Sequence, residues 1–268
     1  MNNLQRKILQ THTKHGIVAR AYWVKPPEVQ PQKHTQTSVR ASERMEVRYG
    51  ILHSKIANQA ISEGIKSIEK VHTVPHDLFK IPIHVTGSLG KGHGSDAAGG
   101  YYPSGRWGWS SNSTIDVNKH TAWPAATLVH EYGHFLDHHL WGSVTEHSTF
   151  SRSMGTARKN PDLKPLMMAI YRSKAGRQLQ NAYSQVEKEH LATVKYFLNP
   201  SEMFARAYTQ WIALRSGNQK LRSEVSQMSS EWREFGLHTQ WEKQDFRLIA
   251  KEFDRLFTRR GLINRGRQ

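Results

Sequence analysis

The sequence of 268 residues contains no cysteine. Without cysteine, a chain cannot form disulfides, cannot use a thiolate as a nucleophile and cannot bind zinc through sulfur. Any metal ion must therefore be bound by nitrogen and oxygen atoms, and the 16 histidines offer enough nitrogen for such a site.

Long apolar segments are missing as well. The longest run, residues 166–171, has six residues, whereas a membrane-spanning helix needs about 20. The basic residues near the N-terminus are not followed by the apolar stretch of a cleavable secretory signal. We therefore expect neither a transmembrane segment nor a signal peptide.

Acidic residues are few in comparison with basic ones. The sequence has 22 Asp and Glu against 38 Lys and Arg, which gives a formal net charge of +16. A charge of this size favours contact with nucleic acid, an anionic surface or an acidic partner, but it carries no information about the fold. A solvated basic surface would explain the same composition, so both interpretations stay open.

The N-terminal part of the chain has the composition of a flexible basic arm. Residues 1–44 contain eight Lys or Arg, two Glu and three Pro, and few large apolar side chains that could offset the entropy of ordering. From about Glu46 to Pro75, apolar residues recur at spacings of three to five, which predicts a helix. We expect the main domain at residues 45–258 and a short basic tail at 259–268.

The rest of the chain is predicted to be a small β-region followed by helices. Residues 81–86 and 114–118 have the pattern of short strands, and a glycine-rich loop or hairpin is expected between them at 87–108. The order of strands and helices indicates an α+β fold. After Pro124, the apolar periodicity predicts helices at 125–140, 163–173, 177–194, 200–214 and 241–257.

The segment His130-Glu131-Tyr132-Gly133-His134 lies in the first of these helices. Residues four apart on a helix are separated by about 40° around its axis, so both imidazoles can bind one metal ion. Glu131 is about 100° from His130, beside the metal, where its carboxylate can take a proton from an activated water molecule. Two surface histidines on an amphipathic helix would give the same spacing and remain the alternative.

A tetrahedral zinc site of this kind needs a third protein ligand and an open position for water. The compact solution places a histidine six residues after His134, but that residue is Leu140. Glu202 is the strongest distal candidate, because Asn199 can cap its helix and Pro200 suits the first helical position. The same carboxylate could instead close a capping box with Asn199.

Other side chains near the motif are alternative third ligands. They are Asp137, His138, Glu146 and His147. Asp137 fits better as a partner that hydrogen-bonds a ligand imidazole and orients it.

Segments 127–134 and 200–207 together resemble the zincin metallopeptidases that use a distal glutamate ligand. They are similar to the small peptidase domains of phage and mobile-element proteins and, more distantly, to lethal-factor-type bacterial toxins. The likeness includes the hairpin at 100–118 and covers about residues 46–216. It implies a zincin-like fold, in which a small mixed sheet and an active-site helix precede a mainly helical C-terminal half.

The resemblance also implies a cofactor and an activity. A Zn²⁺ ion would be bound by His130, His134 and Glu202, and Glu131 would be the general base in the hydrolysis of a peptide bond. An extended protein or peptide substrate would lie along the edge strand of the sheet. The expected location is cytoplasmic or virion-associated.

A tyrosine near the metal often stabilises the oxyanion in related peptidases. Tyr196, six residues before Glu202, is the best positional match, and Tyr208 is a weaker one. The alternative for either tyrosine is a packing role.

The basic composition supports a second hypothesis for the whole protein. In this hypothesis the chain binds nucleic acid or belongs to a virion, and its zincin-like domain is inactive. Such a protein would still bind DNA or RNA in a salt-sensitive way after Glu131→Gln, whereas a peptidase would lose its activity.

Overall fold

The computed structural model describes residues 37–49, 55–87, 89, 97–102, 113–141, 161–188, 190–233 and 236–264. Within these residues the fold is α+β, as the sequence predicts, and it contains eight α-helices and two small sheets. Most of the proposed arm and the end of the basic tail lie outside the described residues. None of the helices in the described part combines the length and the apolar character needed to cross a membrane.

The described strands are β1 (Ser38–Val39), β2 (Met45–Tyr49), β3 (Val74–Pro75), β4 (Ile81–Thr86), β5 (Gly99–Tyr102) and β6 (Thr114–Asn118). The larger sheet has four strands and is mixed, as expected. Its spatial order is β2-β4-β6-β5, in which the first three strands are parallel and β5 pairs with β6 in antiparallel orientation. A second sheet pairs β1 with β3.

The C-terminal half is mainly helical, and four of its predicted helices begin and end within two residues of the expected positions. The eight helices are α1 (Lys55–Val71), α2 (Pro124–Leu140), α3 (Lys164–Arg172), α4 (Lys174–Gln185), α5 (Leu191–Phe197), α6 (Pro200–Ser216), α7 (Gln219–Arg233) and α8 (Lys243–Arg259).

The prediction of a continuous helix from Glu46 is wrong, because residues 45–49 form strand β2. Side chains alternate along it, with Met45 buried and Glu46 and Arg48 exposed. The parallel ladder to β4 satisfies the backbone groups of this segment. Helix α1 begins only at Lys55. A pairing partner more than 30 residues away in sequence thus overrides the local spacing of apolar residues.

The predicted helix at 177–194 is two helices. Helix α4 begins earlier, after Ser173, whose side chain accepts the backbone N–H of Gly176. It ends at Gln185, and the next residue is extended. The charged residues 187–189 that follow offer no apolar side chain to bury. Helix α7 was not predicted, because only four of its residues are buried: Leu221, Glu224, Val225 and Trp232.

The last residues of the proposed arm pack on the body of the protein. Strand β1 pairs with β3, and a 3-10 helix at Ala41–Arg44 follows it. Ala41 is fully buried, and the backbone N–H of Ser42 donates to Glu69 of α1. The described end of the arm is therefore a short β-element and a helical turn.

Helix α2 occupies the centre of the fold. It packs against α6 and α1 on two sides and against strands β5 and β6 on another. Nearly all of its side chains are buried, and only His130 and His134 are slightly exposed. The position of the helix that carries His130 and His134 is thus fixed by two helices and by the larger sheet.

Candidate metal centre

The N-terminus of α2 is capped by a carboxylate from another helix. Pro124 is at the first helical position, and Trp123 before it supplies no side-chain cap. Glu224 of α7 fills this role, because its Oε2 accepts the backbone N–H of Ala126 at 2.8 Å. A buried anion here satisfies orphan N–H groups and matches the positive end of the helix dipole.

The two histidines of α2 face the same way, as their spacing predicts. Their Nε2 atoms are 3.1 Å apart, and their rings are nearly perpendicular, at 85°. Both side chains are mostly buried. A single turn of α2 therefore brings two nitrogen atoms close enough to bind one metal ion.

Glu202 completes the group from the first turn of α6. Its Oε2 is 3.3 Å from Nε2 of His130, and its Oε1 is 3.3 Å from Nε2 of His134. Asn199 caps α6 by accepting the N–H of Ser201, as predicted. The N–H of Asn199 itself donates to the carbonyl of Tyr196, so Glu202 does not close a capping box. These three side chains form a group that could hold a metal ion.

The close packing of α2 and α6 depends on Gly133, which lies between the two histidines. A Cβ at this position would be 3.0 Å from Cδ1 of Tyr208 and 3.2 Å from Cα of Ala205. Both distances are shorter than an ordinary carbon–carbon contact of about 3.5–4.0 Å. Glycine therefore lets α6 approach closely enough for Glu202 to reach the histidines.

His134 is oriented through a serine. Its Nδ1 is 2.8 Å from Oγ of Ser201, and this hydroxyl donates to Oδ2 of Asp137 at 3.4 Å. Asp137 was predicted to orient a ligand imidazole, and the structure places Ser201 between the two. With Nδ1–H donating to the serine, Nε2 carries the lone pair that a metal needs. Sequence reasoning missed Ser201, although it directly precedes Glu202.

The charges of the group perturb one another strongly. Burial disfavours the charged imidazole of His134, but the negative charge of Glu202 and the hydrogen bond to it raise the pKa of His134 to about 9. Burial alone would raise the pKa of Glu202, yet the two histidines hold it well below its ordinary range. Without a metal, the carboxylate thus acts as the counter-ion of the histidine pair.

Glu131 is buried next to this group and next to the edge strand. A Cβ on Gly99 of β5 would be 3.3 Å from Cγ of Glu131, so the strand passes close to this side chain. Within the described part of the chain, the carboxylate accepts no hydrogen bond. A buried carboxylate with free lone pairs is suited to accept a proton from a bound water molecule.

Tyr196 lies in the last turn of α5, beside Glu202. Burial and then the negative charge of that carboxylate raise the pKa of the phenol well above its ordinary value. The hydroxyl therefore stays protonated and can act as a donor. Tyr208 does not join the group: its hydroxyl is 2.7 Å from Nε2 of His72 in the core, and it packs against Gly133.

The alternative third ligands do not replace Glu202. His138 is on the same helix but is not part of the group, and burial lowers its pKa to about 4. Glu146 and His147 lie outside the described residues. Asp137 is bound to Ser201, as described above.

Comparison with protein-family models gave no match, and neither the curated proteins nor the solved structures contain a match to this chain. The resemblance to zincins therefore stays a prediction, which rests on the two sequence motifs. The geometry of the group that these motifs form is an independent observation on the same residues.

Proposed function

We propose that the chain is a zinc-dependent peptidase whose metal is bound by His130, His134 and Glu202. The spacing of the three side chains carries this proposal. The two Nε2 atoms are 3.1 Å apart, Oε2 of Glu202 is 3.3 Å from Nε2 of His130, and Oε1 of Glu202 is 3.3 Å from Nε2 of His134. A tetrahedral zinc ion with bonds of about 2.0–2.1 Å needs ligand atoms about 3.3 Å apart. The separations between neighbouring atoms are close to this value, and one ligand atom from each of the three residues lies within 4.8 Å of the other two.

The chemistry of the donor atoms supports zinc over other ions. Two imidazole nitrogens disfavour magnesium and calcium, which prefer oxygen ligands. Three protein ligands with a fourth position open to water are typical of catalytic zinc sites, whereas structural sites are closed by four. Oε2 of Glu202 is also buried and lies 3.3 Å from Nε2 of His130, so a metal ion could bind both atoms in place of their direct contact.

The residues around the group have the roles that peptide hydrolysis needs. A bound zinc ion would polarise the attacking water molecule and the scissile carbonyl. Glu131, whose carboxylate is free, would take a proton from the water and give it to the leaving amine. Tyr196, whose phenol stays protonated, would donate a hydrogen bond to the oxyanion. Ser201 would hold His134 in the orientation that binds the metal.

A peptide substrate is supported by the position of β5. Among the described strands it is one of the two edges of the four-stranded sheet, and it passes beside Glu131 at Gly99. An extended peptide could add to such an edge through backbone hydrogen bonds. Its scissile bond would then lie next to the proposed general base.

The test is a comparison of wild-type protein with Glu131→Gln on a peptide library and on denatured proteins. We expect zinc-dependent cleavage by the wild type and no cleavage by the variant. The variant should contain as much zinc as the wild type. Glu252→Gln is the matched control and should cleave normally, since Glu252 is on α8, pairs with Arg255 and is not part of the metal-binding group. Equal cleavage by wild type and Glu131→Gln would contradict the proposed role of Glu131.

A second function has one supporting observation, the net charge of +16. A polyanion-binding protein would retain salt-sensitive affinity for DNA or RNA in Glu131→Gln. Affinity of this kind, together with the absence of cleavage by the wild type, would favour the binding protein over the peptidase.

A further inference from the structure

The guanidinium of Arg206 is buried next to the backbone of the proposed metal ligand Glu202. Arg206 lies one helical turn after Glu202 on α6, and only 5% of its surface is exposed. Its Nε donates to the carbonyl of Glu202 at 3.2 Å. Its other two nitrogens donate to the carbonyls of Thr239 and Phe197. Every acceptor is a backbone oxygen, and Arg206 forms no ion pair with a described carboxylate.

These hydrogen bonds join three parts of the fold that surround the site. One acceptor belongs to α6, one to the end of α5, and one to the connection between α7 and α8. Two aromatic rings enclose the guanidinium, because its Cζ is 5.3 Å from the ring centroid of Phe197 and 5.9 Å from that of Trp241. Phe197 directly follows Tyr196, so the bond to its carbonyl fixes the turn that carries the tyrosine.

A buried cation of this kind is unfavourable by itself. Burial lowers the pKa of Arg206 to about 10, and the negative charge of Glu202 acts in the opposite direction, so the guanidinium stays charged at neutral pH. An apolar side chain of similar size would avoid the desolvation penalty. Replacement of Arg206 by such a side chain would remove two features of the site: the link between α5 and α6, and the positive charge that interacts with Glu202.

We propose that Arg206 is a positioning residue that holds Glu202 and Tyr196 side by side at the metal centre. This inference rests on the metal site of the proposed function. Arg206 does not touch metal or substrate; it acts through its hydrogen bonds to the backbone of Glu202 and of Phe197.

The test compares Arg206→Gln, which removes the charge, with Arg206→Lys. Lysine keeps the charge but lacks the planar guanidinium that donates to three carbonyls at once. Zinc affinity is measured by competition with a chelator, and the geometry is measured by the visible spectrum of the Co²⁺-substituted protein. Arg215→Gln is the matched control, since Arg215 is on the same helix but pairs with Asp254 at the surface.

We expect zinc affinity to fall about 10- to 100-fold in Arg206→Gln and less in Arg206→Lys, with a changed cobalt spectrum in both. Arg215→Gln should match the wild type. If Arg206→Gln does not fold, Arg206→Lys decides the question alone. Wild-type zinc affinity and a wild-type cobalt spectrum in a folded Arg206 variant would overturn the role of Arg206 alone. A wild-type protein that binds no zinc would overturn the metal site as well.

Discussion

Substitution of Gly133 by alanine would separate the role of helix packing from that of the ligands. The new Cβ would lie 3.0 Å from Cδ1 of Tyr208 and 3.2 Å from Cα of Ala205. To restore ordinary contact distances, α6 must move away by about 0.3–0.5 Å. Glu202 is one turn before Ala205 and would move with it. Because zinc–ligand distances tolerate about 0.2 Å, this shift exceeds what the site can absorb.

The expected effect on stability is small, and the effect on zinc binding is larger. Overpacking lowers the free energy of unfolding by about 1–3 kcal/mol. The higher helix propensity of alanine raises it by about 1 kcal/mol relative to glycine. The free energy of unfolding should therefore fall by about 0–2 kcal/mol, as measured by urea denaturation. Zinc affinity, measured by chelator competition, should fall about tenfold or more.

Gly64→Ala is the matched control for this experiment. Gly64 is on α1, which also packs on α2, and its Cβ would be 3.2 Å from Cδ2 of Leu128. Helix α1 carries no proposed ligand, so this variant should lose similar stability and keep wild-type zinc affinity. A Gly133→Ala protein that gains about 1 kcal/mol of stability and binds zinc like the wild type would refute the packing role of Gly133.

Three further predictions follow from contacts around the site and in the core. Ser201→Ala removes the hydrogen bond to Nδ1 of His134 and should weaken zinc binding about 10- to 100-fold; unchanged affinity in chelator competition would contradict it. Glu224→Ala leaves the N–H of Ala126 buried without its acceptor, and urea denaturation should show a loss of about 1–3 kcal/mol, with a smaller loss in Glu224→Gln. Burial lowers the pKa of His72 from 6.5 to about 4. The unfolded chain therefore binds the proton first, and stability falls as the pH drops from about 6.5 towards 4, by about 2 kcal/mol at pH 5. His72→Gln should remove this part of the pH dependence, and identical slopes for both proteins would count against it.

The parts of the site that sequence alone could indicate are those with local causes. His130 and His134 face the same way because of the helix period, and that period is visible in the sequence. The helix start before Glu202 is visible as well, because Asn199 and Pro200 are typical of a first turn.

The parts that could not be predicted depend on contacts between distant segments. Glu224 caps α2 from 98 positions away, and Ser201 reaches His134 from 67 positions away. Nothing in the local pattern around either residue indicates its partner. Strand β2 was assigned to a helix for the same reason, since its ladder to β4 is set by tertiary pairing. Helix α7 is too polar to show a clear apolar stripe.

The most direct test of the central claim is the metal content of the purified, tag-free protein. Elemental analysis should find about one zinc ion per chain in the wild type and in the Glu252→Gln control, and far less in His130→Ala and Glu202→Ala. Zinc retained by Glu202→Ala would show that another side chain is the third ligand. A wild-type protein that takes up no zinc, even when zinc is supplied, would contradict the account.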